Sequence, residues 1–156
     1  MTRGDVSLAP AEGYLELGLY DDAWAELDKL GPGGGADPDV SILRLDILLG
    51  LNRWEDAVAL GIGCCRDWQN HDGIFLRTAS ALAGLEDFGK ALELLRNAPE
   101  ELQQKPEYHY LVARCASRAG RIADAKLALR ECFNRDRSYR QRGLDDPDLQ
   151  PVWNSL

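Results

Sequence analysis

The stretch "LLGLNRWEDAVAL" at residues 48–60 decides the fold, because the same outline occurs three more times in the chain. The matching stretches are "LELGLYDDAWAEL" at 15–27, "LAGLEDFGKALEL" at 82–94 and "SRAGRIADAKLAL" at 117–129. Each contains the end of one predicted helix, a short break and the start of another. Aligning them on a shared alanine gives Ala23, Ala57, Ala91 and Ala125, which are evenly spaced along the chain. A fixed period of this kind is typical of stacked units that bury their apolar faces against one another.

Two further columns keep the same period. Three residues before each alanine stands a large apolar side chain: Tyr20, Trp54, Phe88 and Ile122. Six residues before it stand Leu17, Leu51, Leu85 and Ala119. The position of the alanine is expected to require a small residue, because two helices are predicted to cross there. Pro38 and Pro106, two periods apart, predict helix starts, since the missing N–H of proline costs nothing in a first turn.

The period and these columns resemble the tetratricopeptide repeat (TPR), a helix-turn-helix of about 34 residues, which is the interval between the aligned alanines. The resemblance covers nearly the whole chain as a single domain over residues 1–156, with units at about 4–37, 38–71, 72–105 and 106–139. It implies an all-α fold, a right-handed superhelix of antiparallel helix pairs called an α-solenoid. A small residue twelve positions before the alanine (Ala11, Ala79 and Ala113) also fits the family.

The end of the chain is expected to cover the open face of the fourth unit. Leu149, Val152, Trp153 and Leu156 fall at i, i+3, i+4 and i+7, which predicts a short capping helix over about 146–156. An alternative is that Trp153 anchors a partner protein.

Composition indicates a soluble globular protein, with 45% hydrophobic and 28% charged residues among 156. No stretch approaches the roughly 18 apolar residues needed to cross a bilayer, and Met1 to Asp5 are followed by no apolar run. We therefore expect a cytoplasmic protein without membrane contact. Cys64, Cys65, Cys115 and Cys132 fit no disulfide framework, which agrees with reduced thiols.

Charge is distributed unevenly along the chain, whose net charge is −8. Residues 1–104 have a net charge of −11, residues 105–142 of +6 and residues 143–156 of −3. Nucleic-acid binding is disfavoured, because it requires several Lys or Arg contacts to phosphates.

The residues that could support catalysis or metal binding are few. His71 and His109 are the only histidines, and the cysteines lack C-x-x-C spacing. We expect no enzyme activity, metal or cofactor. The Gly-rich stretch "GPGGGADPDV" at 31–40 lacks the Lys-Ser/Thr of a phosphate-binding loop and is interpreted as a flexible joint. Gly61 and Gly63 weaken a predicted helix; either a neighbouring helix packs closely there, with Trp68 filling the space, or they form a notch for a partner.

The resemblance also implies a concave groove lined by the first helix of every unit. The positions that would face a bound peptide are Leu8, Glu12, Leu15, Ile42, Asp46, Leu49, Leu76, Arg77, Ser80, Tyr110, Arg114 and Arg118. They form an apolar stripe with acids at one end and arginines at the other. Arg114 and Arg118, near Tyr110, could hold a carboxylate of the ligand.

The sequence thus predicts a non-enzymatic protein-interaction module or scaffold that binds a peptide or protein segment. The ligand is expected to be apolar in the middle, with acidic residues toward Arg114 and Arg118 and basic residues toward Glu12 and Asp46. One alternative is a dedicated chaperone for a secreted or membrane-active client, as some small acidic bacterial TPR proteins are. Another is a self-assembling structural unit whose acidic front meets the basic rear of another copy.

Overall fold

The structure, a computed structural model, describes residues 7–31 and 37–156. Its helices are α1 (Ala9–Glu16), α2 (Tyr20–Asp28), α3 (Pro38–Gly50), α4 (Trp54–Asp67), α5 (Asp72–Gly84), α6 (Phe88–Arg96), α7 (Pro106–Arg118), α8 (Ile122–Arg135), α9 (Tyr139–Asp145) and α10 (Gln150–Asn154). Short 3-10 turns occur at Leu102–Gln104 and Pro147–Leu149. These two described ranges contain no strand, and the all-α prediction is confirmed.

The helices form four antiparallel pairs, α1–α2, α3–α4, α5–α6 and α7–α8, which we call the first to fourth pairs. Each pair packs against the next one along the chain. The first helices α1, α3, α5 and α7 also contact one another in that order. Pro38 and Pro106 begin α3 and α7, as their sequence positions predict.

The turn inside each pair has the same backbone geometry in all four pairs. One residue of each turn has a positive φ: Gly18 (73°), Asn52 (57°), Glu86 (60°) and Gly120 (79°), at the same spacing as the alanines. The amide of the following residue donates to the carbonyl oxygen five residues earlier, with N–O distances of 2.8–2.9 Å. This is the Schellman arrangement that ends many helices. The two helices of each pair are therefore joined in the same way.

The alanine column is fully buried in the two hydrophobic cores. Ala23, Ala57, Ala91 and Ala125 are all 0% exposed. Most of the buried side chains form one core that runs from Leu45 in α3 to Val152 in α10. The first pair has a smaller core of its own, completed by three residues of α3. The alanines permit this close packing because a larger side chain would wedge the helices apart.

The aromatic column forms the junctions between pairs. The Tyr20 ring lies against Gly50, and the Trp54 ring lies against Gly84, so a Cβ at either glycine would collide with the ring. The third junction differs, because Arg118 stands in place of the glycine and its guanidinium lies over the Phe88 ring, 5.1 Å from the centroid. The two residues are 30 positions apart in each case. The aromatic side chain of one pair thus packs on the end of the next first helix.

The end of the chain contacts α7 and α8 of the fourth pair, and it does not form one helix over 146–156. Instead, the 3-10 turn Pro147–Leu149 leads into the five-residue helix α10. Pro151 has no N–H, and a helix running through it would lose a backbone hydrogen bond. Leu149 and Val152 are 0% and 1% exposed, whereas Leu156 is 84% exposed. We call residues 146–154 the C-terminal cap. Helix α9, which precedes it, was not expected from the sequence.

The glycines of α4 have different surroundings. A Cβ at Gly61 would collide with Thr78 of α5, so close packing explains this glycine, and Thr78 rather than Trp68 is the neighbour. Gly63 has no neighbour within 4 Å of the position a Cβ would take. Residues 32–36 of the Gly-rich stretch lie outside the described residues, so the flexible joint stays a prediction.

Candidate functional site: the first-helix face

The predicted groove residues lie on or beside α1, α3, α5 and α7, on a surface that we call the first-helix face. Its apolar side chains differ in accessibility. Leu8 and Tyr110 are buried, at 7% and 2% exposure, and belong to the core. Leu15, Ile42, Leu49 and Leu76 are half-buried and can be reached from solvent. The apolar stripe is therefore narrower than the sequence suggested.

A cavity of about 430 Å³ opens on this face between α3, α5 and α7. Four of the predicted groove residues line it: Leu49, Ser80, Arg114 and Arg118. Trp54 and Phe88, which begin the second helices α4 and α6, form further walls and were not predicted as site residues. The signal was present in the sequence as the aromatic column, since the rings that stack on the next pair also border the space between pairs.

A second cavity, of about 350 Å³, lies at the other end of the face, between α1 and α3. Leu8, Glu12 and Ile42 line it. The predicted residues therefore gather at two places. Leu15, Asp46, Leu76, Arg77 and Tyr110 line neither of these two cavities.

Asp46 and Arg77 neutralise each other. The Arg77 Nε donates to Asp46 Oδ1 at 2.7 Å, and Nη2 donates to Oδ2 at 3.2 Å. Arg77 Nη1 also donates to the carbonyl oxygen of Gly73 at 3.1 Å. A two-pronged contact of this kind fixes both side chains. This ion pair joins α3 to α5. The Asp46 carboxylate and the Arg77 guanidinium are therefore already paired and do not face a ligand as free charges.

The arginines at the end of the face hold a carboxylate of the chain itself. Arg114 Nη2 donates to Asp148 Oδ2 at 2.8 Å, and Arg118 Nη1 donates to Asp148 Oδ1 at 2.9 Å. The Ser117 hydroxyl donates to the carbonyl oxygen of Asp148 at 2.6 Å. Burial alone would raise the pKa of Asp148, but the hydrogen bonds from both arginines outweigh it and hold that pKa below its usual value. These arginines therefore anchor the C-terminal cap.

Tyr110 supports the same attachment. Its hydroxyl donates to Asp146 Oδ2 at 2.7 Å, and the Arg142 guanidinium lies 4.6 Å from its ring centroid. Burial, together with the hydrogen bond to Asp146, raises the pKa of Tyr110 far above its usual value. The hydroxyl is thus a neutral donor to the cap rather than a group facing a ligand.

Two charged side chains of the face remain accessible. Arg118 is 40% exposed and also contacts Glu86 at 3.0 Å. Glu12 is exposed and forms no ion pair with any residue in 7–31 or 37–156. The predicted separation of acids at one end of the face from arginines at the other is therefore reduced to these two charged positions.

The thiols are buried and the histidines are half-buried. All four cysteines are free and buried, and burial raises the pKa of Cys115 and of Cys132 to about 11. The His109 Nε2 lies 2.8 Å from the carbonyl oxygen of Gln103, and burial lowers the pKa of this histidine. Within the described ranges, no three His, Cys, Asp or Glu side chains are grouped so as to hold a metal ion. Among those same residues, every helix is too short or too polar to cross a membrane.

The stacked pairs define a TPR-like α-solenoid. A solved structure of such a solenoid, "MamA MSR-1 C2", matches with a TM-score of 0.68. The match covers 82% of this chain and 74% of that chain at 16% sequence identity, so the likeness concerns the fold. No family model matches the sequence. No curated protein matches it.

Proposed function

We propose that this chain is a non-enzymatic protein-interaction module that binds a partner segment on its first-helix face. The observation that supports the proposal is the 430 Å³ cavity between α3, α5 and α7. Ligand pockets in proteins commonly have volumes of about 300–1,000 Å³ and are mostly apolar with a few polar groups. The cavity receives one bulky apolar side chain of the partner, against Leu49, Trp54 and Phe88.

The charges of the face suggest the flanking residues of the ligand. A basic ligand residue pairs with Glu12, whose carboxylate forms no ion pair with the described residues. An acidic ligand residue pairs with the exposed part of Arg118, where it competes with Asp148 and Glu86. The apolar anchor provides most of the affinity, and these two contacts set the direction of the bound segment.

Filling the cavity tests the proposal better than removing an arginine, because Arg114 and Arg118 also hold the cap. Ala83 lines the cavity and is half-buried, so Ala83→Phe places a ring there without removing an existing contact. Ala59 is exposed on α4 and is not among the residues lining the cavity, so Ala59→Phe is the matched control.

The probes are peptides selected on the immobilised wild-type protein from a displayed random library, with affinity measured by fluorescence anisotropy. We expect the selected peptides to share a large apolar residue. We expect Ala83→Phe to weaken their binding at least about tenfold, because the anchor loses its pocket, and Ala59→Phe to leave it unchanged. Peptides that bind Ala83→Phe as tightly as wild type would refute the assignment of the cavity.

A further inference from the structure

A third cavity, of about 270 Å³, lies at the opposite end of the molecule from the first pair, between α8, α9 and α10. Its floor is apolar and includes Leu129, Phe133 and Trp153. The Trp153 indole is fixed, because its Nε1 donates to the carbonyl oxygen of Gly143 at 3.0 Å. Three cations stand around this floor: Lys126, Arg130 and Arg140. We call these residues the terminal pocket.

The three cations of the terminal pocket differ from most other described cations, because they form no ion pair with a described carboxylate. Among residues 7–31 and 37–156, most lysines and arginines form an ion pair, and Arg142 stacks on Tyr110 and Tyr139. The cations in those ranges with neither contact are Arg66, Arg96, Lys126, Arg130, Arg137 and Arg140. Half of them therefore surround one apolar pocket. A surface that complements the terminal pocket has an exposed apolar side chain flanked by carboxylates.

The chain carries such a segment in the turn of its first pair, at residues 16–22. Leu17 is 73% exposed and Leu19 is 44% exposed at this turn. Glu16, Asp21 and Asp22 are exposed beside them, and none of the three forms an ion pair or side-chain hydrogen bond with the described residues. The positive φ of Gly18, at 73°, shapes the turn that carries both leucines. We call residues 16–22 the acidic turn.

We propose that the acidic turn of one copy docks into the terminal pocket of a second copy. Within one chain the two surfaces belong to the first and the fourth pairs, with two pairs between them, so one molecule cannot join them. A contact between two different surfaces is heterologous, so copies add head to tail, into a ring or an open filament. This inference does not depend on ligand binding at the first-helix face, since the terminal pocket and the 430 Å³ cavity share no lining residue.

The test uses sedimentation velocity of the full chain across a wide range of protein concentration. We expect the weight-average sedimentation coefficient to rise with concentration at about 0.05 M salt and to rise much less at about 0.5 M salt, because exposed charge pairs are screened. Two charge-reversed proteins are compared with wild type. One carries Lys126→Glu, Arg130→Glu and Arg140→Glu; the other carries Glu16→Lys, Asp21→Lys and Asp22→Lys.

Each charge-reversed protein alone has like charges on both surfaces, and we expect at least about tenfold weaker assembly. Mixing the two restores opposite charges at every contact, so the mixture is expected to assemble again. Arg66→Glu, Arg96→Glu and Arg137→Glu together form the control, because the change of charge is the same but lies outside the pocket. Alanine versions of both triple substitutions, which add no like charge, form a second set. Each alanine protein alone is expected to assemble more weakly than wild type, and the mixture is expected to form pairs but no larger assemblies, because only the wild-type turn of one protein and the wild-type pocket of the other remain.

Wild-type protein that remains monomeric at every concentration in low salt would overturn the proposal. The terminal pocket would then be assigned to a different acidic partner. Assembly that persists unchanged in both charge-reversed proteins, or that the control triple abolishes equally, would also overturn it. Folding of every variant is checked by far-UV circular dichroism and thermal unfolding, and the alanine set decides the question if a charge-reversed protein does not fold.

Discussion

The first and fourth helix pairs share the same turn geometry and the same buried alanine, yet their outer faces differ. The first pair has short helices of 8 and 9 residues and a small core of its own. Its connection to the second pair includes Arg44, which lies 4.5 Å from the Trp24 ring centroid and contacts Asp28 at 3.2 Å. The fourth pair has helices of 13 and 14 residues. The C-terminal cap covers it with buried apolar side chains and an ion network.

A repeat has two separate properties, the way its two helices meet and the firmness with which the pair is held. The recurring columns determine how two helices meet, and they are alike in both pairs. The extent of the buried core determines how firmly a pair is held, and the main core extends through the fourth pair into the cap, whereas the first pair has a smaller core. We therefore expect the fourth pair to open less readily than the first.

The largest expected effect is at the cap. Leu149 is 0% exposed and packs in the main core, so Leu149→Ala should lower the free energy of unfolding by about 2–5 kcal/mol. This change should also make the fourth pair as easy to open as the first. Urea unfolding gives the loss, and amide hydrogen exchange locates it.

The matched control is Leu127→Ala, at a leucine of α8 that is 57% exposed. It should change the free energy of unfolding by no more than about 0.5 kcal/mol. Equal losses for Leu127→Ala and Leu149→Ala would mean that the cap does not stabilise the fourth pair.

A smaller effect is expected at the junctions between pairs. Gly84→Ala puts a methyl group against the Trp54 ring and should destabilise the protein by about 1–3 kcal/mol through overpacking. Gly13 lies in α1 with no neighbour within 4 Å of its would-be Cβ, so Gly13→Ala should stabilise the first pair by about 0.5–1 kcal/mol. Thermal unfolding of the two variants should move in opposite directions. A rise in Tm for Gly84→Ala would contradict the close packing of the Trp54 ring against Gly84.

The smallest effect concerns the charge of Asp148, which is 23% exposed. Asp148→Asn should cost about 1 kcal/mol at neutral pH, a value reduced by partial solvent screening. Because the pKa of Asp148 is depressed in the folded protein, its contribution is present above the ordinary carboxyl pKa of about 3.9. It is lost as the pH falls through the folded value.

The difference between wild type and Asp148→Asn should therefore disappear in acid, and urea unfolding across a pH series measures it. Asp124→Asn is the control, since the Asp124–Arg121 pair is 50% exposed on both sides and should contribute little at any pH. A difference that grows as the pH falls would contradict the assigned role of Asp148.

The repeat and the helix starts could be predicted from the sequence because they rest on local patterns. An alanine at a fixed interval and a proline in a first turn restrict nearby backbone whatever lies around them. The interruption of the cap helix could have been predicted from Pro147 and Pro151, because proline cannot continue a helix from the residues before it. The aromatic column at the junctions was evident in the sequence, but its packing against Gly50 and Gly84 was not.

The partners of the charged side chains could not be predicted. Arg114 and Arg118 were recognised as a carboxylate site, but their carboxylate comes from Asp148, 30 or more residues away, in a segment noted for its apolar residues. Asp46 and Arg77, separated by 31 positions, pair across two helices for the same reason. Which charges meet depends on side-chain directions after packing, and the helical period does not determine these directions.

The recurring columns stack pair upon pair, with an aromatic ring of one pair on the end of the next first helix. Nuclear Overhauser effects in the full chain measure this contact directly. We predict cross-peaks between the Trp54 indole and Gly84 Hα, and between the Tyr20 ring and Gly50 Hα. Assigned spectra in which both cross-peaks are missing, with these rings close to other residues instead, would contradict the stacked array.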